Sequence, residues 1–340
     1  MAYQESIKYI LSQPELPVEK LSGCNILITG ATGLIGSALV DSMMGFEKGD
    51  YLVYALGRNE ERAKRLFSNY WGSNRFHFIK HDVMYPLNSE VHFHYIIHAA
   101  SNANPSSFTS SPVEIIKSNI FGLSNLLDYG QEHGLRRLLY VSSGEVYGEG
   151  EGKVFEETAK GSFDQLNPRS CYPIAKSMAE NLCVAYSREY SLDSVIARPC
   201  HVYGPKFTES DNRVYAQFLR NVVAGEDIVM KSTGDQYRSW CYVVDCVSAL
   251  FYILLKGQTG NAYNVVSKDS NLSIKDLAEL ISKLGGQRVV RTESSEAESR
   301  GYNPVHRSIF DMKKLIGLGW MSRFDIVKGM TESIDYLKST

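Results

Sequence analysis

The chain has 340 residues, 44% hydrophobic and 22% charged, with 36 Lys and Arg against 38 Asp and Glu for a net charge of −2. That is a globular composition, long enough for one large domain with a smaller lobe, and it lacks the basic excess of a general nucleic-acid binder. No run approaches the roughly 20 apolar residues of a membrane span, and the acid-bearing start MAYQESIKYILSQPELPVEK has no signal-peptide core. A cytoplasmic protein without nucleic-acid or membrane partners is therefore expected. Cys24, Cys171, Cys183, Cys200, Cys241 and Cys246 form no CxxC pair and lie mostly in apolar segments. Reduced thiols are expected rather than a disulfide framework or a metal site.

In chain order, Asn25–Thr29 reads as a strand and Leu34–Met44 as a helix. Strands follow at Leu52–Leu56, Phe76–Lys80 and Tyr95–His98. Pro112–Glu132 is a long helix with Pro at its start, where a missing N–H costs nothing. Leu138–Ser142 is the fifth strand, Tyr172–Tyr190 a second long helix, and Ser194–Ala197 the next strand. This alternation predicts an α/β fold, a doubly wound parallel sheet of Rossmann type covered by helices on both faces. After Pro199 the rhythm breaks. Tyr203–Asp211 reads as loop, Val214–Val223 as helix, Ile228–Met230 as strand, Ser232–Gln236 as turn, and Ser273–Leu284 as a Ser-capped helix ending at a Gly pair. Residues 1–21 are expected to be an N-terminal extension and 22–199 the dinucleotide domain, with 236–266 returning to it. Residues 200–235 and 267–340 are expected to form a smaller substrate lobe.

Gly30-Ala-Thr32-Gly33-Leu34-Ile35-Gly36 joins the first strand to the first helix. Glycines there let the backbone turn tightly and approach a pyrophosphate, and the helix N-terminus offers free N–H groups to it. A nicotinamide dinucleotide is the expected cofactor. The second strand ends in Leu56-Gly57-Arg58, without the acid that often meets the adenosine ribose of NAD. Arg58, with Arg62 nearby, suits the 2′-phosphate of NADP, so NADP is favoured over NAD; the alternative for Arg58 is a solvated loop charge. Asp82 either accepts from the adenine amino group or caps its loop.

The fifth strand runs into Ser142-Ser143-Gly144-Glu145, and Tyr172 and Lys176 share a helix face at i, i+4. About one Tyr-x-x-x-Lys match is expected by chance in a chain with 21 tyrosines. Its value is its place, after the fifth strand at the carboxyl edge where doubly wound sheets bind ligands. Tyrosine, with a reference pKa of about 10, is a weak acid, and a Lys176 ammonium beside it and a positive nicotinamide ring would both favour the phenolate. Tyr172 could then take a proton from a sugar hydroxyl as hydride leaves the same carbon, with Ser143 hydrogen-bonded to that oxygen.

These features together resemble the extended short-chain dehydrogenase/reductases of the nucleotide-sugar epimerase/dehydratase family, over roughly residues 22–340. The matching features include the glycine turn, Asp82, His98-Ala99-Ala100, Asn119, Ser143, Tyr172/Lys176, Arg198-Pro199, Tyr203-Gly204-Pro205 and Arg238. The stretches HAASNANPSSF, SSGEVYG and NPRSCYPIAKSMAENLC are similar to UDP-glucuronate decarboxylases and 4,6-dehydratases. The resemblance implies that Ser143, Glu145, Tyr172 and Lys176 are catalytic. It implies cofactor contacts from Gly30, Thr32, Gly33, Leu34, Ile35, Gly36, Arg58, Asp82, Val83, Ala99, Ala100, Ser101, Asn119 and Lys176. For a nucleotide-diphosphate sugar substrate it implies Asn104, Gly144, His201, Arg213 and Arg238; surface ion pairs are the plainer alternative for the two arginines. It also implies a homodimer through the two long helices, which could equally be packed only on the sheet.

Related dehydratases carry Asp then Glu after the Ser or Thr, whereas this chain has Gly144 then Glu145, and His201 stands where Asn is frequent. Glu145 could remove a proton beside the new ketone or merely balance a cation, and the acid that expels a 6-hydroxyl is missing. Epimerisation or uronic-acid decarboxylation through a 4-keto intermediate is the expected reaction. A 4-keto reductase, a 4,6-dehydratase and a non-catalytic dinucleotide sensor are the alternatives.

Overall fold

A computed structural model describes residues 2–150, 152–292 and 305–339. The order is α1 (Ala2–Tyr9), β1 (Cys24–Thr29), α2 (Leu34–Gly45), β2 (Tyr51–Gly57), α3 (Glu60–Leu66), β3 (Phe76–Lys80) and β4 (Tyr95–His98). Next come α4 (Pro105–Ser110), α5 (Pro112–His133), β5 (Arg137–Val141), β6 (Val154–Phe155), α6 (Cys171–Glu189), β7 (Ser194–Pro199) and β8 (His201–Tyr203). Then follow α7 (Val214–Ala224), β9 (Ile228–Met230), β10 (Tyr237–Tyr242), α8 (Val243–Lys256), β11 (Ala262–Val265) and β12 (Asn271–Ser273). The described chain closes with α9 (Ile274–Gly285), β13 (Val289–Arg291), β14 (Arg307–Phe310), α10 (Lys313–Ile316) and α11 (Ile326–Ser339).

Seven parallel strands form the main sheet in the order β11-β7-β5-β4-β1-β2-β3. Successive side chains along each strand serve opposite faces. Ile26 and Ile28 of β1, with Val53, Ile97, Leu139 and Val195, pack against α2 and α8. Leu27, between the first two, joins Tyr54, Ile96, Leu138 and Ile196 under α5 and α6. The expected doubly wound fold is thus present, with order reversing at β1 between β2 and β4, where such sheets bind ligands.

The segment 236–266 divides between two sheets. Tyr237–Tyr242 lies in a second sheet, β12-β10-β14-β6 with β8 on β10, whereas β11 completes the edge of the first and α8 covers it. Helix α8 is buried from Val243 to Leu255, so its sequence is apolar all round and carries no helical period to read. The N-terminal segment is packed into the fold: Tyr3 and Ile7 are buried, and Tyr3 donates to Asp41 at 3.2 Å. Lys206, 165 residues away, pairs with the same carboxylate at 2.6 Å.

Candidate active site

The glycine turn leaves the end of β1 and enters α2 at Leu34. Gly30 has φ +65°, and a Cβ there would come within 2.6 Å of the Ala100 backbone. A Cβ on Gly36 would approach the Gly30 carbonyl oxygen at 2.1 Å, so both glycines are required by the turn's own packing. Gly33 meets only that carbonyl, at 3.3 Å, and its outer side is open. The N–H groups of Leu34, Ile35 and Gly36 are the first of the helix and have no partner within it. An open glycine in front of unpaired amides and a positive helix end fits a dinucleotide pyrophosphate.

Around this turn, Ala100 donates its N–H to Thr29 Oγ1 at 3.3 Å, and Ser101 Oγ donates to Asn119 Oδ1 at 3.0 Å. Asn119 is buried and donates to the Ile115 carbonyl at 2.8 Å; the carbonyl of buried Val83 accepts from Asn125 at 2.8 Å. Arg62 rather than Arg58 reaches back to the turn, its Nε donating to the Thr32 carbonyl at 3.1 Å. Arg58 is 68% exposed and faces Asp82 at 3.6 Å, so these two expected cofactor residues are loosely paired with each other. Asp82 also accepts from the Met84 N–H at 3.0 Å, the loop-capping contact foreseen as its alternative.

Ser143, Tyr172 and Lys176 converge at the carboxyl end of β5. Ser143 precedes a short turn of 3-10 helix, Gly144–Tyr147, and its hydroxyl accepts from the Glu145 N–H at 3.1 Å. Tyr172 begins α6, is 5% exposed, and stacks on Phe108 at 4.5 Å. Lys176 is 1% exposed, donates to the Val141 carbonyl at 2.9 Å, and lies 5.8 Å from the centre of the Tyr172 ring. Burial pushes the Tyr172 phenol up to about 12, with the Glu145 charge adding to it, while Ser143, Arg213 and Ser101 pull it back. Burial also pulls the Lys176 ammonium down to about 7 against the support of Glu180. Burial thus opposes both the phenolate and the ammonium, an effect that the i, i+4 spacing alone does not indicate. Both charges lose hydration in the same dry pocket, and the hydroxyls and Arg213 are what oppose that cost.

The second sheet brings cations to the other side. Arg238 on β10 is 3% exposed; its guanidinium donates to the carbonyls of Tyr237 and His306, each at 3.2 Å, and of Val305. No carboxylate pairs with it among the described residues, and desolvation lowers it to about 10, with Glu145 as the one supporting charge. Arg213 differs: it is held by Asp211, with Nε to Oδ1 at 2.9 Å, and by Tyr215 at 2.9 Å. His201 lies near both arginines and is pushed down to about 3, by burial first and then by Arg238, so its imidazole is neutral; its Nδ1 is buried without a partner among the described residues. Asn104 caps α4 through Ser106 and donates across to the Ser210 carbonyl at 2.8 Å.

The model for the NAD dependent epimerase/dehydratase family matches residues 26–266. The chain belongs to that family. It is 33% identical over 312 residues to UDP-glucuronic acid decarboxylase 6 of Arabidopsis thaliana, covering 91% of this chain and 87% of that one. It is 31% identical to UDP-glucuronic acid decarboxylase 1 of Xenopus tropicalis, covering 98% and 77%. Among solved structures, a UDP-glucuronic acid 4-epimerase from Bacillus cereus has the same fold, with a TM-score of 0.79 at 21% identity, covering 93% of this chain and 99% of that one. The protein is thus an enzyme of an NAD-dependent family.

Within this family member, two features of the site are explained only by tertiary contacts. A Cβ on Gly144 would lie 2.4 and 2.6 Å from the Phe310 ring, so the volume an acid would occupy at 144 is filled from β14. Glu145 is held bidentately by Arg169, at 3.0 and 3.4 Å, which realises the expected balancing cation. Arg169 escaped the sequence reading. It sits just before α6, in the NPRSCYPIAK stretch, and the signal was there: an arginine three residues ahead of the catalytic-type tyrosine.

Proposed function

We propose that this enzyme decarboxylates a nucleotide-linked uronic acid, UDP-glucuronate in the first instance, through a 4-keto intermediate. The observation carrying the reading is that Glu145 stands two residues after Ser143 while Phe310 fills the neighbouring acid position, a site poor in dehydratase acids. The relatedness to decarboxylases over most of the chain supports it. The sheet side would hold the dinucleotide and the second sheet the nucleotide diphosphate, with Arg238 and Arg213 on its oxygens, neutral His201 beside them and Asn104 at the rim.

Tyr172 takes the proton of the C4 hydroxyl, and Ser143 donates to that oxygen as it becomes a carbonyl. A nicotinamide dinucleotide held at the glycine turn would supply the hydride acceptor and donor for C4. Lys176 would hold the nicotinamide ribose and orient Tyr172. The acid is then β to a ketone. The bond between C5 and the carboxyl carbon breaks, CO₂ leaves, and the electron pair moves to the C4 oxygen held by Ser143 and Tyr172. C5 then takes up a proton from solvent beside Glu145, which restores the ketone, and the proton held by Tyr172 returns to the C4 oxygen when C4 is reduced.

Incubation with UDP-, dTDP-, GDP- and CDP-sugars and either dinucleotide, read by mass, tests the reading. Loss of one CO₂ from UDP-glucuronate is expected. Loss of water, gain of two hydrogens, or an unchanged mass with altered retention would replace decarboxylation by dehydration, reduction or epimerisation. For the cofactor, NADP is proposed to bind at least as well as NAD, because Arg58 is exposed and only loosely paired with Asp82, so it can turn toward a 2′-phosphate. A homodimer through α5 and α6 is also proposed, supported by exposed Val113, Ile116 and Phe121 on α5 and Met178 on α6, and tested by mass in solution.

A further inference from the structure

The Glu145–Arg169 pair does more than fill space. Arg169 is 9% exposed, yet among the described residues its Nε has no acceptor while both Nη atoms bind Glu145. A buried donor left unsatisfied is costly, and one left so beside a ligand site is a donor awaiting an acceptor. The guanidinium lies 5.1 Å over the Phe108 ring, which itself stacks on Tyr172. The same aromatic ring therefore positions the ion pair and the group expected to act on C4. The charged and titratable groups sensing Glu145 are Arg169, Tyr172, Cys171 and Arg238. A substrate carboxylate entering here beside an unpaired Glu145 would meet a like charge in a poorly hydrated space.

We propose that Arg169 is a specificity-determining residue: with Glu145 it forms a charge-neutral receptor that admits a carboxylate on the sugar carbon next to the one Tyr172 acts on. This rests on the nucleotide-sugar reading of the site and names the feature by which that site accepts an acidic sugar. Arg169 shares itself between the two carboxylates, with Nε as the donor not used by the protein. A neutral hydroxymethyl group at the same place gains nothing from that cation.

The test is equilibrium binding by calorimetry in a Tyr172→Phe background, which separates affinity from turnover. UDP-glucuronate and UDP-glucose are compared with NAD saturating, so the diphosphate contribution cancels. Adding Arg169→Gln is expected to lower the glucuronate-to-glucose affinity ratio at least about tenfold, and Arg169→Lys, which keeps the charge but not the Nε donor, to lower it by a smaller factor of about threefold or more. Adding Glu145→Gln is expected to raise the ratio, because a repulsive charge is removed. An unchanged ratio in Arg169→Gln, equal weakening of both sugars, or a lower ratio in Glu145→Gln would overturn the proposal. If Arg169→Gln does not fold, the Lys and Glu145 variants still decide it. Should the parent bind neither sugar, the nucleotide-sugar reading fails and this proposal with it. Should glucuronate bind with the predicted ratios while the unmutated enzyme releases no CO₂, the reaction assignment fails and the receptor stands.

Discussion

Gly144→Ala isolates the contact that replaces the dehydratase acid. The new methyl would sit 2.4 Å from Phe310 Cζ, 2.6 Å from Cε1 and 3.3 Å from the Pro199 carbonyl oxygen. The ring cannot simply swing away: it is 6% exposed and braced by Phe155 at 5.6 Å and Tyr147 at 5.7 Å. Overpacking of this kind costs about 1–3 kcal/mol. With an unfolding entropy of about 2.1 cal/mol/K per residue, a chain of this length gives roughly 0.7 kcal/mol/K, so about 2 kcal/mol lowers Tm by about 3 °C. Calorimetry at a fixed scan rate would read this shift. Phe310→Leu destabilises alone by removing ring contacts, but it also opens the space, so the double variant should be better than additive by about 1 kcal/mol or more. An unchanged Tm for Gly144→Ala, or strictly additive costs, would refute the claim that Phe310 excludes a side chain at 144.

Tyr172→Phe is expected to lower turnover by about 10²–10⁴-fold while dinucleotide affinity, read by fluorescence titration, stays unchanged; full turnover would remove Tyr172 from the chemistry. Arg238→Met should raise KM for the nucleotide sugar about tenfold or more with a smaller effect on kcat, in keeping with about 1.5–3 kcal/mol for a hydrogen bond to a charged group. An unmoved KM would mean that the guanidinium does not reach the diphosphate. Lys176 is about 7 in the folded chain, below its ordinary 10.5, so between these values the unfolded chain binds more protons and the cost of burying this group falls as pH rises. Lys176→Met should therefore raise the Tm of the ligand-free protein most at pH 6 and progressively less toward pH 10; a gain that grows with pH would contradict burial as the cause. Arg58→Asp should lower the ratio of NADP to NAD affinity, measured by titration with each.

The main sheet was legible because its strands are short apolar runs separated by helical segments, and the glycine turn because Gly30 and Gly36 answer a local steric need. Ser143, Tyr172 and Lys176 were legible through their places relative to β5 and α6. Long-range contacts were not. Nothing near Gly144 in the sequence announces Phe310, and the partnership of Glu145 with Arg169 spans a turn, a strand and a loop. Helix α8 was hidden by its uniform apolarity, and the five short strands of the second sheet pair across large sequence separations. The effect of burial on Tyr172 and Lys176 was illegible for a related reason: i, i+4 spacing reports adjacency, whereas the cost of burying a charge depends on everything packed around it.

Asn104 performs two tasks with one amide group. Its oxygen caps α4, while its nitrogen holds the Ser210 carbonyl in the loop leading to Arg213. A single neutral hydrogen bond is worth about 1 kcal/mol, so thermal motion can break and remake this strap many times within one catalytic cycle. Aspartate at 104 would keep the cap and lose the donor. In kinetic language, the strap is a contact that opens and recloses without help, so it ties α4 to the loop before Arg213 only on average over time.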